Sequence, residues 1–158
     1  MRPLSDSFST EIERKFLLQR VPDNLEKYPR AEIEQGYLAI DREGRHVRLR
    51  KKGDALSLTY KRDYGRSREE REIRLRADQF EALWPATVGR RLTKIRYDLP
   101  RGKRMIEIDV YRGVHEGLVV AEVEFPDEKS CVEFEAPDWF GAEVTSDQRY
   151  SNLKLACE

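Results

Sequence analysis

A chain of 158 residues suffices for one domain with a sizeable core, yet hydrophobic residues make up only 39% of it while charged residues reach 38%. Lys plus Arg and Asp plus Glu number 30 each, so no net field favours nucleic acid or an anionic membrane surface, and any anion site has to be a local concentration of basic groups. Cys131 and Cys157, like His46 and His115, lack metal-ligand spacing, which argues against zinc, and no apolar run approaches the ~18 residues of a membrane span. The expectation is a soluble cytoplasmic protein, a single domain over residues 1–158, with no nucleic-acid or membrane partner.

The first informative stretch is Glu11-Ile12-Glu13-Arg14-Lys15-Phe16-Leu17-Leu18. In a strand, Glu11, Glu13 and Lys15 share one face and Ile12, Phe16 and Leu18 the other, so the two carboxylates stand side by side; a helix would separate them. Val21 to Leu25 reads as a loop leading to a short helical turn capped by Asp23 or Asn24. Alternation then predicts strands over 32–40, with Gln35 and Tyr37 on the face opposite Leu38 and Ile40, and over 46–51, where Arg48 and Arg50 oppose Val47 and Leu49. Further strands follow over 56–62, carrying Lys61, and over 68–76, carrying Glu70 and Glu72. Residues 77–85 break the alternation: Asp78 caps a predicted helix whose Phe80, Leu83 and Trp84 form a packing stripe.

Strands resume over 91–99, with Lys94 and Arg96 on one face, then 105–111, with Glu107 and Asp109, and 118–125, with Glu122 and Glu124. A short helix is expected over 127–135 and a terminal helix over 147–157, offering Tyr150, Leu153 and Leu155 for packing. The polar faces of six strands thus carry like-charged pairs at i and i+2, roughly 6 to 7 Å apart. Repulsion disfavours such pairs unless a ligand or an opposing strand sits between them. Closing the sheet turns them into one lumen, with the apolar faces outside under the helices. The fold expectation is therefore mainly β: an eight-stranded antiparallel closed barrel or tunnel with a charged lumen and a few flanking helices. Clustered carboxylates suit hard divalent cations, and Arg forks with Lys ammonium groups suit polyphosphate oxygens; a triphosphate carrying metal ions uses both.

This ordered series resembles the CYTH proteins of the triphosphate tunnel metalloenzyme superfamily. Glu11, Glu13 and Lys15 match its ExExK signature. The similarity continues through Gln35-Gly36-Tyr37-Leu38, Val47-Arg48-Leu49-Arg50, Leu58-Thr59-Tyr60-Lys61, Arg68-Glu69-Glu70-Arg71-Glu72, Lys94-Ile95-Arg96-Tyr97, Glu107-Ile108-Asp109, Ala121-Glu122-Val123-Glu124 and Arg149-Tyr150-Ser151-Asn152. The resemblance implies a tunnel that binds a small-molecule triphosphate with Mg²⁺ or Mn²⁺. In it Glu11, Glu13, Glu122 and Glu124 are the metal carboxylates, with Glu70, Glu72 and Asp109 as further acidic contacts. Lys15, Arg48, Arg50, Lys61, Lys94 and Arg96 cradle phosphate, and Tyr37 pairs with Lys94 or Lys61. Proton movement is expected to be assisted by Glu70 or by that pair. The expected activity is metal-dependent hydrolysis of inorganic triphosphate. The alternatives are a class IV type adenylyl cyclase, a thiamine triphosphatase, or a non-catalytic polyphosphate- or nucleotide-binding module. The two glutamate pairs are expected to face each other across one lumen.

Overall fold

The computed structural model describes residues 7–9, 12–64 and 67–158. Its strands are β1 (Ser7–Ser9), β2 (Ile12–Leu18), β3 (Arg30–Ile40), β4 (His46–Lys52), β5 (Ala55–Tyr64), β6 (Ser67–Arg74), β7 (Arg91–Arg101), β8 (Arg104–Tyr111) and β9 (Val119–Phe125). They form one nine-stranded sheet in the order β1-β6-β5-β4-β3-β7-β8-β9-β2, with antiparallel neighbours throughout. Each predicted strand is present, its ends shifted by a few residues at most.

The two outermost strands of this order, β1 and β2, are consecutive in sequence and separated by Thr10 and Glu11. Three Cα-to-Cα steps span at most roughly 11 Å, whereas a flat sheet of this many strands would hold its edges roughly 40 Å apart. The sheet therefore has to curl. Its seam is made by the chain itself, because β1 pairs with β6 and β2 pairs with β9. The expectation of an eight-stranded closed barrel is corrected to this extent: among the described residues no hydrogen-bonded ladder joins the two edge strands. The reason is that the N-terminal segment divides its pairing between two partners.

Curling gives the sheet two unlike faces. Outside, Leu18, Ile106, Ile108, Val119, Ala121, Val123 and Phe125 form a buried apolar cluster with Leu25, covered by Tyr28, Phe134 and Phe140. Arg14, also on the outer face of β2, holds this cover in place. Its guanidinium bonds Glu143 at 2.7 and 3.0 Å and the carbonyls of Cys131 and Phe134, and it lies 5.2 Å from the centre of the Phe16 ring. Residues 141–144 run antiparallel along the free edge of β2, with Leu17 N–H donating to Ala142 O at 2.8 Å and Val144 N–H to Lys15 O at 2.8 Å. Inside, one end of the lumen is apolar: Tyr37, Leu92, Tyr111 and Val120 pack against Leu155 and Ala156 of the C-terminal helix.

The helices differ from expectation in their details. The helix α1 (Ala77–Leu83) starts at Arg76 rather than Asp78, with Arg76 N–H donating to the Gln79 side chain at 2.9 Å and Asp78 pairing with the Arg76 guanidinium in the first turn. It continues as a 3₁₀ turn, Trp84–Thr87. Asn24 precedes the 3₁₀ turn Leu25–Lys27 without a side-chain cap, because its φ of 60° places it in the left-handed region that Asn tolerates. The helix α2 (Glu128–Glu133) is capped by Asp127 accepting from Ser130 N–H at 2.7 Å. The expected terminal helix is broken: a 3₁₀ turn, Gln148–Tyr150, is followed by α3 (Asn152–Ala156), because Ser151 is extended and caps the new helix through Lys154 N–H.

The strip along β2 gives a stability test. A Cβ added at Gly141 would lie 2.6 Å from the carbonyl oxygen of Leu17, to which Gly141 N–H already donates at 2.7 Å. Backbone cannot yield there as a flexible side chain could. Gly141→Ala is expected to destabilise the fold by about 1–3 kcal/mol, read as a lowered midpoint in urea denaturation; an unchanged midpoint would count against the docking of this strip.

Candidate active site

Cross-strand register places the charged faces of the strands on one continuous inner wall. Tyr37 stands opposite Arg48 and Gln35 opposite Arg50; Arg48 stands opposite Thr59, Thr59 opposite Glu72, and Lys61 opposite Glu70. On the other side of β3, Ile33 faces Lys94, Arg96 faces Asp109, Glu107 faces Glu122, Lys15 faces Glu122, and Glu13 faces Glu124. Lys15, Arg48, Lys94, Arg96, Asp109 and Glu122 are all buried. Charges buried on this scale are tolerated only when paired or awaiting a ligand.

One part of the wall is paired internally. Asp109, 0% exposed, accepts from Lys94 Nζ at 2.8 Å and from Arg96 Nε and Nη2 at 2.8 and 2.9 Å. Burial by itself would raise the Asp109 pKa, but the two cations outweigh it and hold the carboxyl far below the usual range. The same exchange lifts the Arg96 pKa well above its ordinary value against the pull of desolvation. Arg96 also reaches Glu107 at 2.9 Å and Glu122 at 3.7 Å. Lys94 is different: burial and the neighbouring Arg96 pull its pKa down to about 8 although Asp109 opposes them. Burial would also raise Glu122, but Lys15 at 3.4 Å, with Arg96 and Lys94, keeps it below its ordinary value.

The wall of β3 and β4 is not balanced in this way. Arg48 and Arg50 each bury an Nε that has no hydrogen-bond partner, and so does the Gln35 carboxamide oxygen. Burial, then Arg48 and Arg96, push the Arg50 pKa down to about 10. A guanidinium is depressed that far only where like charge and desolvation exceed its counter-charge. Tyr37 lies against this pair: its phenol is raised by burial, partly offset by Arg48 and Gln35, and its ring meets His46 edge-on at 5.4 Å. His46 is itself directly opposite Lys61.

The expected site residues therefore largely meet, with three qualifications. Glu11 lies outside the described residues. The glutamates of β2 and β9 do not face each other across the lumen; Glu13 and Glu124 are neighbours on paired strands of a single wall. Asp109 is the counter-ion of Lys94 and Arg96 rather than an outlying acidic contact, and Glu72 accepts from Thr59 Oγ1 at 2.6 Å. Among the described residues no three His, Cys, Asp or Glu side chains converge into a ready-made metal cage. The donor chemistry nonetheless suits a hard divalent cation, since Glu13 beside Glu124 sets like charges together in a way that a cation relieves.

Residues that sequence reasoning left without a role complete the lumen. Asn152 Oδ1 accepts from Tyr111 OH at 2.5 Å and Lys94 Nζ at 3.2 Å, and the Tyr150 carbonyl accepts from Lys15 Nζ at 3.2 Å. The His115 ring lies 2.6 Å from the Leu155 carbonyl. The C-terminal segment is thus seated in one end of the tunnel and bound to two of its lysines. Nothing in local periodicity signals contacts between residues so far apart in the chain. A surface groove of about 740 Å³, lined in part by Tyr28, Arg101 and Trp139, lies on the outer face and contains none of these lumen residues.

No protein-family model matches the sequence. Two relatives do, both described as inorganic triphosphatases. One, from Nitrosomonas europaea, is 46% identical over 93% of this chain and 97% of its own length. The other, from Acetivibrio thermocellus, is 36% identical over 92% of each. A crystal structure described as an inorganic triphosphatase superposes with a TM-score of 0.73 at 40% identity, covering 94% of this chain and 95% of that one. A Pyrococcus horikoshii protein at 18% identity shares the fold, with a TM-score of 0.55 over 75% of this chain and 79% of its own. With the strand order, the inward-facing charge and this identity over nearly the whole length in agreement, the chain belongs to the inorganic triphosphatase family.

Proposed function

We propose that this enzyme hydrolyses inorganic triphosphate to diphosphate and orthophosphate, with the polyanion inside the tunnel and a divalent metal ion, Mg²⁺ or Mn²⁺, beside it. The observation that carries this reading is the unpartnered, buried Nε of both Arg48 and Arg50 on one wall. A polyphosphate supplies the negative charge and the acceptor oxygens that these two donors are without. The activity of the two relatives and the resemblance to CYTH proteins of the triphosphate tunnel metalloenzyme superfamily support the same reading.

Glu11, Glu13 and Glu124, with Glu122 as the fourth carboxylate, would hold the metal, which neutralises phosphate charge and activates water when bound. The chain's own part is positioning and electrostatics. Arg48 and Arg50 take the phosphoryl oxygens on one side. Lys15, Lys94 and Arg96, held in place by Glu122 and Asp109, present fixed positive charge on the other. Tyr37 donates its hydroxyl into the lumen. Lys61 is the lysine assigned to it, because His46, directly opposite Lys61, packs against the Tyr37 ring. Glu70, opposite Lys61, is placed to share in proton movement. Leu155 and Ala156 of α3 occupy the apolar end against Tyr37, Leu92, Tyr111 and Val120, a packing that favours the smaller inorganic triphosphate over ATP or thiamine triphosphate.

The direct test is a panel of tripolyphosphate, ATP and thiamine triphosphate with Mg²⁺ or Mn²⁺, scored for orthophosphate, diphosphate and cyclic AMP. Tripolyphosphate should give the highest kcat/KM, and a chelator should abolish turnover. Cyclic AMP with diphosphate from ATP would overturn the hydrolase reading, and tight chelator-insensitive binding without turnover would leave a binding module.

Two further outcomes follow from the charge balance. Arg50 is disfavoured as a cation in the ligand-free fold, so Arg50→Met should leave the melting temperature unchanged or raise it. Its affinity for tripolyphosphate should nevertheless fall by about tenfold or more, about 1.4 kcal/mol; parallel calorimetry of unfolding and binding checks both halves. Lys94, with its pKa lowered to about 8, is charged below that pH and loses its charge above it. The KM for tripolyphosphate should therefore climb between about pH 8 and 9.5, and Lys94→Arg, which stays protonated across that window, should flatten the rise.

A further inference from the structure

Gln35 has no part in the reaction as set out above, yet it is 1% exposed and faces the lumen between Arg50 on β4 and Leu92 on β7. Its carboxamide is half used. Nε2 donates to the Tyr37 hydroxyl at 3.1 Å, and Oε1 is buried with no partner. The spacing explains the first bond, since residues i and i+2 of a strand share a face. Gln35 and Tyr37 on β3 thus form a square with Arg50 and Arg48 on β4, each opposite its partner in register. Three of the four corners carry the orphaned polar atoms Gln35 Oε1, Arg50 Nε and Arg48 Nε.

Two consequences follow from donor and acceptor chemistry. A phenol oxygen that accepts from Gln35 Nε2 and lies against Arg48 has its lone pairs engaged, so its own O–H is left to donate elsewhere. Among the described residues no acceptor for it is seen, and a phosphate oxygen on the arginine wall is one. The orphaned Oε1, in contrast, can only accept. Ionised polyphosphate oxygens also only accept, so a polyanion that engages the two arginines cannot satisfy Oε1, whereas a water beside it can.

Resting on the triphosphatase reading, we propose that Gln35 is a positioning residue of the hydrolytic site. Its Nε2 fixes the Tyr37 hydroxyl as a donor into the lumen, and its Oε1 holds a water against the phosphate bound by Arg48 and Arg50. Tyr37 touches the substrate; Gln35 acts through it and through the water.

The test compares wild type, Gln35→Met, Tyr37→Phe and the double variant. Met keeps the length and volume of Gln without either hydrogen bond. With tripolyphosphate and saturating Mg²⁺, Gln35→Met should lower kcat by roughly tenfold to a hundredfold and change KM by less than about threefold. The double variant should be no slower than Gln35→Met, which already loses both the positioned hydroxyl and the water. An unchanged kcat, a loss confined to KM, or multiplying losses in the double variant would overturn the proposal. A second readout is independent of turnover. In protein labelled with ¹³C at tyrosine Cζ, the signal missing from Tyr37→Phe should titrate at higher pH in Gln35→Met than in wild type, because a donor to the phenolate is lost. An unmoved titration would also overturn the proposal. Wild-type protein inert toward tripolyphosphate would instead sink the triphosphatase reading, with the titration still deciding whether Gln35 positions Tyr37.

Discussion

The charge distribution of the lumen depends on Asp109. Among the described residues it is the most deeply buried carboxylate of the inner wall and the one that bonds both Lys94 and Arg96. Two cations at i and i+2 on one strand face repel each other, and desolvation worsens their position. A single carboxylate on the neighbouring strand, in register with Arg96, converts them into a fixed array whose geometry is set before any ligand arrives. Such preorganisation is what electrostatic catalysis requires, since dipoles and charges already in place need no reorganisation during reaction. The cluster is best understood as scaffold for function. Buried ion pairs add little net stability over well-packed apolar groups.

Against that balanced half, the β3–β4 wall stands out by its lack of balance. Arg48 and Arg50 keep unpartnered donors, and Arg50 is held at a depressed pKa. The C-terminal segment accentuates the contrast. Leu155 and Ala156 fill the apolar end, while Asn152 and the Tyr150 carbonyl bind Lys94 and Lys15 from inside. An end filled with apolar side chains lowers the local dielectric, which strengthens the charge interactions next to it. Fold and site are continuous here: the helix that completes the inner core also meets the cations that face the ligand.

Much of this was legible in the sequence because strand alternation has a period of two and leaves few alternatives. Val47-Arg48-Leu49-Arg50 and Ala121-Glu122-Val123-Glu124 each state which residues share a face, and the structure buries Arg48 and Glu122 accordingly, while Glu124 near the end of β9 is exposed. What alternation cannot state is which strand lies beside which. The position of Glu13 next to Glu124, rather than across the lumen from it, depends on β2 pairing with β9, a contact between opposite ends of the chain. The roles of Asp109 and Asn152 were hidden for the same reason. Asp109 reads as one more acid until β7 is laid beside β8, and Asn152 reads as a helix residue until α3 is seated in the tunnel. The break at Ser151 was missed because its capping bond to Lys154 N–H competes with the periodicity that suggested a longer helix.

The seam has the same logic as the site. A curled sheet that closed by a full ladder would have fixed register around its whole circumference. Here the N-terminal segment gives three residues to β6 and seven to β9, and the edge of β2 left over is covered by residues 141–144. The first of these strands ends at Ser9 and the second begins at Ile12, just before the face that carries Glu13 and Lys15. In a regular strand the pairing partner on each side is common to all residues. A strand that changes partner within its length can set its two halves at different angles, as bulges do elsewhere in sheets. The change of partner allows the segment to close the tunnel and, a few residues later, to align Glu13 with Glu124 and Lys15 with Glu122.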